Sequence, residues 1–278
     1  MAAVASTPVT VSLPAGLATD DGHWLRQAEL RPLTGQEEDW LIRHPAAPAA
    51  VAVTRLLSTC LLSLERRPVT AAIAAQLLVG DRDVLMLELR RLTLGEDFSA
   101  LVTCGSCGDQ MDVNFKAADV PVECPLTATG PHTLPLTTPG RQRTIRFRLP
   151  TGADQEAVLG VPAGQAGEAL LQRCLLDDGR LSLNAAEREL LADAIERNAP
   201  KIDLELDLTC PSCGVQFVLP FDTTTFFLQE LRSNSRYLLR EFHSLAFHYH
   251  WNQTDILALD RERRRAYLSL LADELRRS

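Results

Sequence analysis

The sequence lacks the features of a membrane protein and of a secreted, disulfide-bonded framework. No stretch approaches the roughly 20 uninterrupted apolar residues of a membrane span, and the N-terminal residues carry no basic region before an apolar core. The seven cysteines form an odd, unevenly spread set, which does not suit a framework of paired disulfides. We therefore expect a cytoplasmic protein with reduced thiols and no membrane contact.

Motifs typical of common enzymes are also missing. The sequence has no glycine-rich phosphate loop, no Gly-x-Ser-x-Gly, no His-Glu-x-x-His and no carboxylate cluster of convincing spacing. Lys and Arg number 28 against 36 Asp and Glu, so the formal charge of −8 repels phosphate backbones. We expect a non-enzymatic protein that does not coat nucleic acid.

One cysteine motif occurs twice. The segments 103–115 and 209–221 agree without a gap at seven positions, which are Thr, Cys, Ser, Cys, Gly, Gln and Phe. Upstream of each lies a Thr-Gly pair followed by an acidic residue at capping-box spacing, Thr34 with Glu37 and Thr151 with Asp154. These matches predict a tandem duplication. The predicted units are repeat one at 1–120, a linker at 121–140, repeat two at 141–221 and a C-terminal helical hairpin at 222–278.

The periodicity predicts a mixed α+β fold in which each repeat contains helices and a β-hairpin. One helix is predicted to carry Leu56, Leu57, Cys60, Leu61 and Leu64, and amphipathic helices are predicted at 81–90 and 185–196. Strict alternation over 202–208 predicts a half-buried strand. In the tail, one helix is predicted over 226–249, and Asn252 and Asp260 are predicted to cap the two helices that follow.

The paired cysteines predict a structural zinc site. A Cys-x-x-Cys followed by glycine at a hairpin tip is typical of a zinc knuckle, and two knuckles supply four thiolates in a closed tetrahedral site. We predict one zinc per chain, shared by Cys104, Cys107, Cys210 and Cys213. Two separate ions and metal-free turns are alternatives. A thioredoxin-type redox pair is disfavoured because strand sequence, and not a helix, follows each pair.

The remaining cysteines and histidines admit simpler interpretations. Cys60 and Cys174 lie on apolar helical stretches and are predicted to be core residues, while Cys124 lies in the linker. His243, Phe247 and His250 share one helix face. This face could serve a catalytic metal or acid–base chemistry, but aromatic packing around a corner is the preferred interpretation.

The C-terminal tail is the most basic region of this acidic chain. A solvated helix face is the simplest interpretation, and a docking surface for an acidic protein is the alternative. The predicted partner-binding residues are Trp251, Arg261, Arg264, Arg265 and Tyr267.

Several of these segments resemble one family. The segments 12–16, 30–38 and 81–91, followed by the first cysteine pair, are similar to baseplate and hub assembly proteins of T-even-type contractile-tailed phages. The tail segments 249–251, 256–259 and 264–268 are similar to proteins of phage-tail-like contractile injection systems. The resemblance implies a non-enzymatic assembly factor or minor component that binds other baseplate or hub proteins. A zinc-ribbon adaptor for nucleic acid or transcription is the alternative function.

Overall fold

A computed structural model describes residues 7–125, 128–138, 141–176 and 182–277. Over these residues the chain forms the predicted α+β fold, with eleven α-helices and small antiparallel sheets. The strands are β1 (Val9–Ala18), β2 (Trp24–Leu30), β3 (Leu61–Leu64), β4 (Arg67–Pro68), β5 (Asp97–Thr103), β6 (Gln110–Lys116), β7 (Val122–Glu123), β8 (His132–Thr138), β9 (Arg141–Phe147), β10 (Lys201–Ile202), β11 (Glu205–Thr209) and β12 (Gln216–Pro220). The helices are α1 (Gly35–Arg43), α2 (Ala49–Cys60), α3 (Ala71–Gln76), α4 (Val79–Leu94), α5 (Gly152–Ala157), α6 (Ala163–Cys174), α7 (Ala185–Asn198), α8 (Thr223–Ser233), α9 (Ser235–Tyr249), α10 (Gln253–Leu257) and α11 (Arg261–Arg277).

The four-stranded antiparallel sheet β1–β2–β3–β4 opens the fold. The register between β1 and β2 shifts between Ser12 and Leu17, which leaves backbone N–H groups without a strand partner. The buried carboxylate of Asp81 accepts hydrogen bonds from two of them, those of Ala15 at 2.9 Å and Gly16 at 2.8 Å. The start of α4 is thereby fixed to the irregular part of the sheet.

The largest core lies between this sheet and helices α2, α3, α4 and α8. Helix α4 is buried on most of its circumference, whereas the sequence predicted an amphipathic helix with one buried face. Two of its arginines are inside the protein: Arg82 is 2% exposed and Arg90 is 3% exposed. Burial on most of its circumference is expected of a helix at the centre of a fold.

A second, smaller core joins the hairpin β8–β9 to helix α7. The segment predicted as a linker, 121–140, contains β7 and β8, and β7 pairs with β10 in a two-stranded sheet. Residues 126–127 and 139–140 of that segment lie outside the described residues.

The elements of the two predicted repeats follow the same order. Repeat one begins with the hairpin β1–β2, and the corresponding hairpin β8–β9 starts at His132, before the start predicted for repeat two. Each hairpin continues into a capping-box helix that starts at Thr34 or Thr151. Next come α2 and α6, which start after a proline and end at Cys60 and Cys174. The carbonyl of each of these cysteines accepts the backbone N–H of an arginine just before the capping box, Arg31 at 3.0 Å and Arg148 at 2.8 Å.

The C-terminal segment packs against the first half of the chain. Helix α8 contributes Phe227, Leu228 and Leu231 to the largest core, and α9 and α10 pack on α1. The single helix predicted over 226–249 is divided at Asn234, between α8 and α9. The predicted caps are confirmed, since Asn252 accepts the N–H of Asp255 and Asp260 accepts the N–H of Arg263.

Two further predictions about local structure need correction. The helix predicted through Leu64 ends at Cys60, because Leu61–Leu64 form β3 and pair with β2. The strand predicted over 202–208 is divided into β10 and β11, which pair with different strands. Among the described residues, no helix combines the length and apolar character needed to cross a bilayer.

Candidate metal centre

The two cysteine pairs lie at the tips of two β-hairpins, as the alternating sequence on either side predicted. In the hairpin β5–β6 the tip is closed by hydrogen bonds from Cys104 N–H to the Asp109 carbonyl and from Gly108 N–H to the Cys104 carbonyl. The hairpin β11–β12 repeats both bonds with Cys210, Val215 and Gly214. The glycines have φ values of +80° and +73°, a region that side chains disfavour.

The fold brings all four cysteines together. The sulfur of Cys104 lies 3.8 Å from that of Cys213, and the sulfur of Cys107 lies 3.6 Å from that of Cys210. All four sulfurs lie within 4.8 Å of one another. Among the described residues, these side chains are the one group of three or more His, Cys, Asp or Glu whose ligand atoms lie that close.

These separations fit a tetrahedral metal site. With a zinc–sulfur bond of about 2.3 Å, the sulfur–sulfur edge of a regular tetrahedron is about 3.8 Å. A disulfide requires about 2.05 Å, so the four cysteines are free thiols in this arrangement. The cluster could therefore hold a metal ion, and a set of four sulfur ligands leaves no position open for a substrate.

Each hairpin contributes one buried and one solvent-exposed cysteine to the cluster. Cys104 and Cys210 are 1% exposed and pack with Val102 and Met111, whereas Cys107 and Cys213 are exposed. The backbone N–H groups of Cys213 and Ser212 lower the pKa of the Cys210 thiol to about 7. The N–H of Asp109 favours the Cys107 thiolate, but desolvation and hydrogen bonding to the other sulfurs together outweigh it and raise the pKa of Cys107 to about 12. A bound cation would favour the thiolate form of Cys107 against this increase in its pKa.

The hairpins are also joined at their bases, where the aromatic rings of Phe98, Phe115, Phe221 and Phe226 form one cluster. The rings of Phe98 and Phe115 stack at 4.6 Å, and Phe115 meets Phe221 edge-on at 5.1 Å. The guanidinium of Arg90 lies 3.8 Å above the Phe98 ring and pairs with Glu230 of α8. The sequence pointed to the cysteines and not to this cluster, although a phenylalanine seven positions after the glycine of each Cys-x-x-Cys-Gly, Phe115 or Phe221, belongs to the repeated motif.

The predicted partner-binding residues occupy different environments. Arg264 is fully buried, where its guanidinium bonds to Glu38 at 2.6 Å and Glu241 at 2.8 Å. Arg261 is 7% exposed, whereas Arg265 is exposed. The half-buried rings of Trp251 and Tyr267 meet edge-on at 4.8 Å. Of the three arginines, Arg265 presents its side chain to solvent.

The histidine face on α9 is exposed. His243 stacks on Phe247 at 6.1 Å, and Phe247 is 66% exposed. His250 ends the helix with a left-handed φ of 57°. Of these three residues, His243 and Phe247 contact each other, and in the described part of the chain none of the three belongs to the one cluster of ligand atoms.

Fold and site together place two hairpins side by side, with four cysteines at their tips that could hold a metal ion. The family of T4 bacteriophage base plate proteins matches residues 19–174, more than half of the chain, and the chain belongs to that family. No curated protein and no solved structure matches the chain. The matched region contains Cys104 and Cys107 and ends before Cys210.

Proposed function

We propose that the protein is a non-enzymatic assembly factor or minor structural component of the baseplate of a contractile phage tail or a phage-tail-like injection particle. The observation that carries the proposal is membership of the base plate family over residues 19–174. The protein acts in the bacterial cytoplasm, where such particles are put together, and its partners are other baseplate or hub proteins. The closed sulfur cluster supports a structural role, because it offers no position for a substrate.

The metal in this proposal is one structural zinc per chain, held by the four clustered cysteines. Sulfur–sulfur distances of 3.6 Å and 3.8 Å support one shared tetrahedral ion. Each hairpin contributes two ligands, so neither hairpin alone completes the site. When bound, the ion supplies a crosslink between segments 103 residues apart in the chain.

The proposed origin of this arrangement is a tandem duplication. The matching order of hairpin, capping-box helix and cysteine-terminated helix in the two halves supports it. So do the equivalent bonds from Arg31 to Cys60 and from Arg148 to Cys174. Under this proposal the zinc joins two equivalent halves at equivalent positions.

Metal analysis of single-cysteine variants tests the site. We expect about one zinc per purified wild-type chain, and we expect Cys104→Ser and Cys210→Ser each to lose it, since three thiolates hold zinc much less tightly than four. Cys124→Ser is the matched control, because this exposed cysteine lies outside the cluster. Two equivalents of zinc, with each variant losing one, would contradict a shared ion.

Particle assembly tests the functional proposal. In cells that lack the wild-type gene, we expect baseplates to be missing, and we expect the wild-type copy but not Cys104→Ser to restore them. Mass spectrometry of purified particles then separates the two roles, because a component is retained at fixed stoichiometry whereas an assembly factor is not. Normal baseplates in the deletion strain would refute the proposal.

A further inference from the structure

Three helices of the chain start in the same way. Helices α4, α7 and α11 each have an arginine at the fourth helical position and a leucine five residues before it. The backbone N–H of each arginine bonds to the carbonyl of the residue that caps its helix, at 3.0–3.1 Å. The three pairs are Leu77 with Arg82, Leu183 with Arg188, and Leu259 with Arg264.

Two of these three helix starts receive a capping-box helix. The carbonyl of Leu77 accepts the N–H of Gly152 at 3.1 Å, and the carbonyl of Leu259 accepts the N–H of Gly35 at 3.1 Å. Both glycines are in close contact: a Cβ added at Gly152 would overlap the Arg82 guanidinium at 1.9 Å, and one added at Gly35 would press on Leu257 at 3.0 Å. The arginine beneath each contact is 0–2% exposed.

At the third helix start, none of the described backbone N–H groups reaches the leucine carbonyl. Among the described residues, the carbonyl of Leu183 meets the Arg188 guanidinium at 3.3 Å and no backbone N–H. The side chain of Arg188 is 33% exposed and pairs with Glu168, which is 61% exposed. Glu168 and Thr54 occupy equivalent positions, each six residues before the end of its helix, α6 or α2. Thr54 is the hydrogen-bond partner of Arg82, as Glu168 is the partner of Arg188.

The face of helix α6 beside this helix start is exposed to solvent. Gly167 of α6 is equivalent in position to Val53 of α2. The Val53 side chain is buried, at 5% exposed, whereas a Cβ added at Gly167 would have no atom within 4 Å. In the first half of the chain this part of α2 is packed beside α5. The equivalent part of α6 is exposed to solvent.

The described residues contain more leucine–arginine helix starts than capping-box helices with glycine at the first position to bind them. The described residues contain three leucine–arginine helix starts and two capping-box helices that begin with glycine, and both of these helices are engaged. Over the described residues, an assembly of identical copies therefore has one more such helix start per chain than capping-box helices of this kind to occupy it. We propose that this surface of α6 and α7 binds a capping-box helix with glycine at its first position, supplied by a different baseplate protein. The identity of the partner as a baseplate protein rests on the proposed function.

A peptide containing residues 30–44 of this chain supplies the probe, because it includes the Thr34-Gly35 start and Glu37. We expect saturable binding to the full-length protein in fluorescence anisotropy, and at least tenfold weaker binding of the Gly35→Val peptide. On the protein, Gly167→Trp should weaken binding at least tenfold, whereas the matched Gly167→Ala should not, since neither side chain meets the fold. Equal binding of both peptides, or binding unchanged by Gly167→Trp, would overturn the proposal.

Since a short isolated helix is only marginally stable in water, a second experiment uses the whole protein. A photoreactive amino acid at position 167 should form an adduct with a different baseplate protein in assembling cells, and the adduct should map beside a helix that starts with Thr-Gly or Ser-Gly. An adduct with a second copy of this chain, an adduct elsewhere on a partner, or no adduct refutes the inference. Zinc content and baseplate formation are measured in separate experiments. The binding inference can therefore fail while the proposed function stands, and the two failures can be told apart.

Discussion

Arg264→Met provides the sharpest test of what the basic tail does. The sequence placed Arg264 among the partner-binding residues, but its guanidinium is fully buried and bonds to Glu38 of α1 and Glu241 of α9. Methionine keeps most of the side-chain volume and removes the charge. Two carboxylates that are 7% and 14% exposed then lack their cation.

Removing one member of a buried ion pair costs about 3–5 kcal/mol, because the remaining charge is left desolvated and unpaired. Since Arg264 joins α11 to α1 and α9, we expect the loss to appear as opening of the tail. A cost of this size corresponds to about a 10²- to 4 × 10³-fold decrease in the hydrogen-exchange protection of α11 amides. Hydrogen exchange monitored by mass spectrometry measures it directly.

Two controls separate the ion network from general damage. Arg265→Met alters the exposed neighbour and should change protection little. The triple variant Arg264→Met, Glu38→Gln, Glu241→Gln should recover part of the lost protection, because the two carboxylates are no longer left unpaired, while the buried guanidinium of Arg261 loses their attraction. A decrease of less than about tenfold in Arg264→Met would refute the reasoning and return this residue to a role in binding.

Three further outcomes are expected. Burial opposes ionisation of Asp154, but Arg148 and Thr151 outweigh it and lower the pKa of Asp154 to about 2 from 3.8. The stabilisation from this carboxylate is complete at pH values above its unfolded-state pKa and is lost as the pH falls toward 2. In urea unfolding, Asp154→Asn should therefore cost about 2 kcal/mol at pH 7 and almost nothing near pH 2. Gly152→Ala should destabilise the fold by at least about 2 kcal/mol because its Cβ would overlap Arg82, whereas Gly160→Ala, with open space around it, should be neutral in the same assay. Iodoacetamide should label the exposed Cys124 first and spare Cys60, because burial raises the pKa of the Cys60 thiol to about 12. Cys107 and Cys213 should react only after a chelator is added, and peptide mass spectrometry measures the labelling of each cysteine.

Features encoded in short segments were predictable from the sequence. The capping boxes at Thr34 and Thr151 depend on residues three positions apart, and both are confirmed. The hairpin tips depend on alternation and on a glycine with positive φ, so the four cysteines could be assigned to two turns. Their meeting at one point followed from the repeated motif, since equivalent hairpins placed side by side bring equivalent tips together.

Features that depend on distant partners were not predictable. Leu61–Leu64 continue the apolar pattern of α2, and pairing with β2 and β4 makes them a strand. The charges of Arg82 and Arg264 indicated exposure, but their partners lie far away in the chain: Thr54 is 28 residues from Arg82 and Glu38 is 226 residues from Arg264. Periodicity carries no information about contacts of this range.

The bond between Glu38 and Arg264 affects the order in which the chain can fold during synthesis. The two residues are separated by 226 positions, and at about 5–20 residues per second the ribosome takes roughly 10–45 s to travel between them. During that time the helix that carries Glu38 is exposed to the cell without α9–α11. The N-terminal half therefore reaches its final form only when the last helix emerges, and a truncated product keeps an uncovered α1 that chaperones and proteases can recognise.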